Sequence, residues 1–260
     1  MKLNQNEIYE LKSKYKMIFD YHTHTRYSHG ILYAHGKGTI YENAKMAKKL
    51  GLEGIAISDH GPGHKFYGLD INKIPQMRKD ILEAKKETSN LDIFLSVEAN
   101  LIDTPNGLDI SKENIKKFDF IIAGYHYGLP NGKMIPNKIQ SFGIYPSGGI
   151  TKLRNFNTEI ALRALYENDI KILTHPGDKG PFDMEKLSKA CEDTTTYMEI
   201  SSRHRHLTED EIKIAMKYDI QFVISSDAHK PCQVGKYLGG LSRAVNTGLP
   251  ISRIVNIREI

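Results

Sequence analysis

Seven histidines, one glutamate and one aspartate follow six short apolar runs of this chain. The runs end in Asp20-Tyr-His22-Thr-His24, Ser58-Asp-His60, Ser96-Val-Glu98, Gly124-Tyr-His126, Leu173-Thr-His175 and Ser226-Asp227-Ala-His229, and His29 lies just past the first. Imidazole and carboxylate are the ligands of zinc, manganese and iron. His22 and His24 stand two residues apart at a strand end, so both face one side and can reach one ion. A His-x-His alone is weak, as is each of the other pairs. Together they are strong, because donors after successive strands mean carboxyl ends converging on one mouth, where α/β barrels keep their chemistry.

The elements that must position these residues alternate along the chain. Strands are expected at 17–22, 53–58, 92–98, 119–124, 170–174, 195–200 and 220–225. Helices are expected at 5–16, 38–50, 73–89, 157–168, 183–193 and 208–218, with a last one starting near 235. Thr208-Glu-Asp-Glu reads as a capping box at the start of its helix. Short apolar runs joined by helices mean parallel strands. An open doubly wound sheet gathers its ligand at one switch point, so donors after six of seven strands suit a closed or nearly closed barrel better. With no repeat, low-complexity tract or linker, residues 1–260 read as one domain.

One stretch breaks the alternation. Residues 128–150 hold five glycines and three prolines. Loops of this length are usually functional or disordered. Since it leaves from the His126 strand end, it is expected to wall the cleft with little regular structure, folding Phe142, Ile144 and Tyr145 over bound substrate.

The totals exclude several classes. Of 260 residues, 40% are hydrophobic and 26% charged, ordinary values for a soluble globular protein. No apolar run approaches a membrane span, and the first residues lack the apolar core of a signal peptide. Two cysteines make no disulfide framework. A cytoplasmic protein is expected. The net charge of +5 comes from lysines spread along helix faces, without a basic block. That favours a small anionic substrate over nucleic acid.

The ordered motifs His22-Thr-His24-Thr25-Arg-Tyr-Ser28-His29-Gly30, Ser58-Asp59-His60-Gly61, Glu98-Ala-Asn100, Ala123-Gly124-Tyr-His126, His175-Pro176-Gly177 and Ser226-Asp227-Ala-His229 resemble those of the PHP (polymerase and histidinol phosphatase) family. The resemblance runs from residue 17 to about 230, and is strongest to the small stand-alone bacterial phosphoesterases. It implies a distorted seven-stranded (β/α)7 TIM-like barrel with two or three divalent ions (zinc, manganese or iron) at the strand ends. Carried over residue by residue, His22, His24, Glu98 and Asp227 would hold the first ion. Glu98, His126 and His175 would hold the second, and His29, His60 and His229 the third. Many members have Asp where this chain has His29, a departure that favours three ions while leaving the third the least secure.

The implied activity is that of a metal-dependent phosphoric monoester hydrolase acting on a small phosphorylated substrate, with Glu98, Asp227 and His229 as its catalytic residues. A water shared between two ions has its pKa lowered from 15.7 toward about 7, giving hydroxide near neutral pH. Histidinol-phosphate phosphatase, protein-tyrosine phosphatase and nuclease are alternatives within the family. A metal-binding interaction domain without catalysis is the alternative outside it, though no expected ligand is missing. Arg26, His64 and Arg203 are the candidates for holding substrate, the arginines because guanidinium matches phosphate bidentately. Asp59 is expected to orient a neighbour rather than bind metal. His35, His204 and His206 are not needed as ligands.

Overall fold

The structure is a computed structural model that describes residues 4–28, 34–129, 133–144 and 149–260. In chain order its elements are α1 (Gln5–Lys14), β1 (Tyr15–Met17), β2 (Phe19–Thr23), α2 (Ile40–Lys49), β3 (Gly54–His60), α3 (Ile74–Glu87), β4 (Asp92–Asn100), α4 (Lys112–Ile115) and β5 (Phe120–Gly124). Then follow α5 (Met134–Ser141), α6 (Gly149–Glu167), β6 (Ile170–Leu173), α7 (Met184–Thr194), β7 (Tyr197–Ser201), α8 (Glu209–Ala215), β8 (Phe222–Ser225), α9 (Leu238–Asn246) and β9 (Ile257–Glu259).

Strands β2 to β8 pair in sequence order, all parallel, as a nearly closed barrel with helices between the strands. This is the expected architecture. Parallel strands are covered on both faces and so read as continuous apolar runs. All seven residues of β3 and all four of β8 are buried. Capping boxes open α2 (Thr39 with Glu42) and α8 (Thr208 with Glu211), as expected for the latter. No helix among the described residues is long and apolar enough to cross a membrane.

The barrel interior follows from alternation along each strand. Phe94, Ser96 and Glu98 share one face of β4; Phe120, Ile122 and Gly124 share one face of β5; Tyr197, Glu199 and Ser201 share one face of β7. Each face thus runs from an aromatic start to a small or polar end. Phe19, Tyr21, Phe94 and Phe120 stack against one another at the amino ends, with ring centroids 4.2 to 6.1 Å apart. Ile122, Ile172 and Val223 pack together on Tyr21, Phe120 and Tyr197. Above this apolar plug lies the polar mouth.

The seam between β2 and β8 is built differently from the other strand pairs. At the mouth, His24 N donates to Ala228 O at 2.7 Å and Ala228 N to His22 O at 3.3 Å. Lower down, buried Asn256 closes the gap with its side chain. Its Nδ2 donates to Phe19 O (2.7 Å) and Ile224 O (2.6 Å), and its Oδ1 accepts from Ile224 N (3.0 Å). Between the two levels, buried Asp20 accepts from Ser226 N (3.1 Å) and Gly235 N (2.9 Å). Each buried backbone group left without a partner costs roughly 1–3 kcal/mol. Asn256→Ala strands three of them and is expected to lower unfolding stability by about 3 kcal/mol or more. Urea denaturation checks this, and an unchanged midpoint would mean that the staple is dispensable.

Several local expectations are corrected. The first helix stops at Lys14, because Tyr15–Met17 pairs antiparallel with Ile257–Glu259. Within 128–150, α5 and the start of α6 are regular helix. Met134–Ser141 contains no glycine, and its Pro136 sits in the first turn, where an N–H has no helical partner to lose. Buried Asn137 pins α5: its Nδ2 donates to Tyr125 Oη at 2.9 Å and its Oδ1 accepts from Asn157 at 2.8 Å. Phe142 and Ile144 are exposed rather than folded over the mouth, and Tyr145 lies outside the described residues. Gln140, Ser141, Gly143 and Ile150 do line a cavity of about 710 Å³ shared with Tyr127, Asp178 and Lys179.

Candidate metal centre

Glu98, at the end of β4, is the hub of the mouth. Its Oε2 lies 3.0 Å from His60 Nδ1, 3.3 Å from His22 Nε2, 3.4 Å from His126 Nε2 and 3.6 Å from His24 Nε2. Its Oε1 lies 3.0 Å from His175 Nε2 and accepts from Thr174 Oγ1 at 2.8 Å. Asp227, just past β8, forms a second hub. Its Oδ1 lies 3.2 Å from His24 Nε2 and 3.2 Å from His229 Nδ1. His22 and His24 bring their Nε2 atoms within 3.0 Å of each other. Eight of the nine expected donors are therefore buried in one constellation. The ninth, His29, lies outside the described residues.

Backbone geometry lets these side chains converge. The register between β2 and β3 shifts between Asp20 and Thr23, and such irregularities re-aim side chains. His175 (φ +27°) and Asp227 (φ +47°) sit in the left-handed region, which non-glycine residues occupy at a cost and which recurs at functional sites. Gly124 leaves room beneath them. A Cβ there would collide with Thr174 Oγ1 and stand 3.0 Å from His175 Cε1 and 3.2 Å from Glu98 Oε1.

Outer partners orient the rings. Glu199 Oε1 holds His22 Nδ1 at 2.8 Å, and its Oε2 accepts from His175 N at 2.8 Å. Asn100 Oδ1 holds His126 Nδ1 at 2.7 Å, and Asp109 accepts from Asn100 N at 2.7 Å. Both contacts turn an Nε2 toward Glu98. Asp59 clamps the turn after β2, accepting from Thr25 N (2.7 Å), Thr25 Oγ1 (2.6 Å), Ser28 Oγ (2.6 Å) and Ser28 N (3.1 Å). Burial pushes Asp59 up to about 6, against the bonds from Ser28 and Thr25.

The electrostatics suit a cation. Burial pushes Glu98 up, but His126, His22 and His175 outweigh it and hold the carboxyl well below the usual range. For Asp227 burial is likewise outweighed, by His22, His204, His229 and His24. Burial together with His60 and His229 holds His24 well below the ordinary imidazole range, and burial lowers His126 and His60. His22 stands apart: burial pushes it down, but Glu98, Glu199 and Asp227 hold it well above its ordinary value.

Buried polar atoms nearly always have a partner. Nine buried side-chain atoms among the described residues lack a hydrogen bond, and six belong here: His24 Nδ1, both nitrogens of His60, Glu98 Oε2, His175 Nδ1 and Asp227 Oδ1. Four triads bring donor atoms within 4.8 Å of one another: His22, His24 and Asp227; His24, His60 and His229; His60, Glu98 and His126; His175, His204 and Asp227. Imidazole with carboxylate, and no thiolate, is a donor set for zinc, manganese or iron. The residues fit divalent metal.

The candidate substrate contacts divide. Arg203 is partly exposed beside the hub, its Nε 3.6 Å from Asp227 Oδ2. Arg26 is exposed; Glu42 at the start of α2 is lowered by its hydrogen bonds from Thr39, with the Arg26 charge adding to them. His64 is buried, stacks on Tyr67 at 3.5 Å and has both ring nitrogens on backbone, Nε2 to Tyr127 O at 2.6 Å and Nδ1 to Phe66 N at 3.3 Å. Other participants were not singled out from the sequence. Glu199 occupies the strand end that seemed to lack a donor; its place in the alternation Tyr197, Glu199, Ser201 was the available signal. His204 bridges Asp227 Oδ2 (2.8 Å) and Asp178 Oδ2 (3.0 Å). Burial pushes His204 down, but these two carboxylates hold it up to about 9. Lys179 Nζ stands 3.3 Å from Asp178 Oδ2. His35 stacks on Tyr67 at 4.1 Å and meets His229 edge-on at 4.4 Å.

Comparison with known proteins agrees with this geometry. The family model described as PHP domain matches residues 20–212, and the one described as PHP-associated matches residues 209–246. A probable phosphatase of Thermoanaerobacter sp. (strain X514) is 28% identical over 255 residues, covering 93% of this chain and 91% of that protein. A probable phosphatase of Acetivibrio thermocellus is 27% identical over 235 residues, covering 85% and 83%. Histidinol phosphate phosphatase from Lactococcus lactis, solved with zinc, L-histidinol and phosphate, superposes with a TM-score of 0.56 at 13% identity, covering 89% of this chain and 92% of that one. The putative histidinol phosphatase of Listeria monocytogenes gives 0.57 at 15% identity, covering 84% and 97%. At these identities the two structures share the fold.

Proposed function

The chain belongs to the PHP domain family, and on that premise we propose that it is a metal-dependent phosphatase that hydrolyses a small phosphoric monoester. The observation that carries this reading is the set of six buried donor atoms around Glu98 and Asp227 that lack a hydrogen bond. The phosphatase names of its relatives support it. His22, His24, Glu98 and Asp227 would hold one ion; Glu98, His126 and His175 a second; His29, His60 and His229 a third. Zinc, manganese or iron there would supply Lewis acidity, making hydroxide available near neutral pH and offsetting charge on the phosphate oxygens.

The remaining work falls to the chain's own groups. Glu98, Asp227 and His229 line the reacting centre. Thr174 Oγ1 donates to Glu98 Oε1 and so limits its rotation. Arg203, on the exposed side of Asp227, can take two phosphate oxygens at once; Arg26 and His64 are further candidates. Water attacks phosphorus, the ester P–O bond breaks and the alcohol leaves with a proton. The cavity of about 710 Å³ lined by Tyr127, Arg154, Asp178, Lys179, Phe182 and Arg205 suits the organic part of a small ester.

The test is a phosphomonoester panel on metal-stripped protein reloaded with zinc, manganese or iron. Hydrolysis of an aryl phosphate is expected to return with metal. Preference for histidinol phosphate over sugar and nucleotide monophosphates would narrow the substrate. No turnover on any monoester with any of the three metals would leave a metal-binding interaction domain as the better reading.

A further inference from the structure

Two bonded side chains, Asp178 and His204, grip Asp227 from the rim of the constellation. Asp178 follows β6 and His204 follows β7, so the grip ties neighbouring strand ends to Asp227 beyond β8. His204 uses both ring nitrogens: Nδ1 on Asp178 Oδ2 at 3.0 Å and Nε2 on Asp227 Oδ2 at 2.8 Å. Its ring also lies against His175, centroids 4.6 Å apart. Asp227 thus has one oxygen held by His204, while Oδ1, buried and without a hydrogen bond, faces His24 and His229. Asp227 also has a left-handed backbone (φ +47°), so its direction depends on what holds it.

We propose that His204, braced by Asp178, is a positioning residue that fixes Asp227 with Oδ1 toward the metal. This rests on the reading of the site as a metal centre. A ligating carboxylate gains from a hydrogen bond to its second oxygen, and removing such partners typically costs ten- to a hundredfold in metal affinity. His204 is 18% exposed, against 3% for Asp227, and so stands at the rim, where it can be changed without opening the barrel core.

The experiment measures metal affinity of the full chain by chelator competition, and the visible spectrum of the cobalt-loaded protein, for wild type, His204→Ala, His204→Gln and Asp178→Asn. His204→Ala is expected to weaken binding of one equivalent ten- to a hundredfold and to shift the cobalt bands, while total stoichiometry stays as in wild type. His204→Gln, which restores a donor, should recover most of the affinity, and Asp178→Asn should give a smaller loss. Wild-type affinity and spectrum in His204→Ala would overturn the proposal while leaving the metal centre intact. Loss of a whole equivalent in both His204 variants would overturn it by making His204 a ligand. A wild-type protein that takes up no metal would overturn both this inference and the proposed function. Circular dichroism on each variant separates these results from misfolding, and if His204→Ala fails to fold, the Gln and Asn variants decide the matter on the same readouts.

Discussion

Glu98→Gln is expected to reduce kcat/KM by about a thousandfold or more, which corresponds to roughly 4 kcal/mol. The change keeps volume and shape but removes the charge that faces four imidazole nitrogens from Oε2 and one from Oε1. The new amide nitrogen would point hydrogens at donors that must themselves present lone pairs. On the proposed assignment Glu98 would serve two ions, so one substitution would damage both. The barrel should survive, because Glu98 lies above the apolar plug of Ile122, Ile172 and Val223. Steady-state kinetics on the best substrate of the panel, with circular dichroism as control, checks this. Near-full turnover in the variant would remove Glu98 from the centre of the mechanism.

Stripping metal is expected to lower stability as well as activity. An ion that binds only the folded chain adds about 4 kcal/mol when its free concentration is a thousand times Kd. For a chain of this size that amounts to roughly 10 °C in Tm. Burying six polar atoms that lack a hydrogen bond without a cation is unfavourable, so the apo protein should melt early. Calorimetry before and after chelation, then after reloading, measures the shift. An apo protein with the same midpoint as the reloaded one would argue that no ion bridges these side chains.

The sequence was most informative where the physics is local. Apolar runs of four to nine residues gave the barrel strands, and a donor after six of the seven located the mouth. Thr208 and Glu211 announced their helix start through a contact only three residues long. The features that escaped are those that depend on distant partners. Asn256 reads as an ordinary polar residue near the last strand; only the meeting of β2 with β8 turns it into a staple. The three-residue strands Tyr15–Met17 and Ile257–Glu259 have no periodicity to detect and exist because they find each other. His204 was set aside as not needed for a ligand, and its role depends on Asp178 and Asp227 from two other loops. Residues 128–150 were misread in part because glycine and proline counts averaged over the stretch conceal the glycine-free run of α5.

The seam between β2 and β8 has a kinetic consequence. The other neighbouring barrel strands are joined by backbone ladders, but here side chains of Asn256 and Asp20 and a short bridge at Ala228 do the closing. Local opening favours the places with the least backbone pairing, so this line should part before the barrel unfolds. His22 and His24 stand on one side of it, and Asp227 and His229 on the other. Each brief parting would separate one half of a triad from the other and admit water between them. An ion could then enter or leave through a gap in the wall, at a rate set by how often the staple lets go, with the rest of the fold standing. Amide exchange at His24 and Ala228 would time that opening, and metal exchange should keep pace with it.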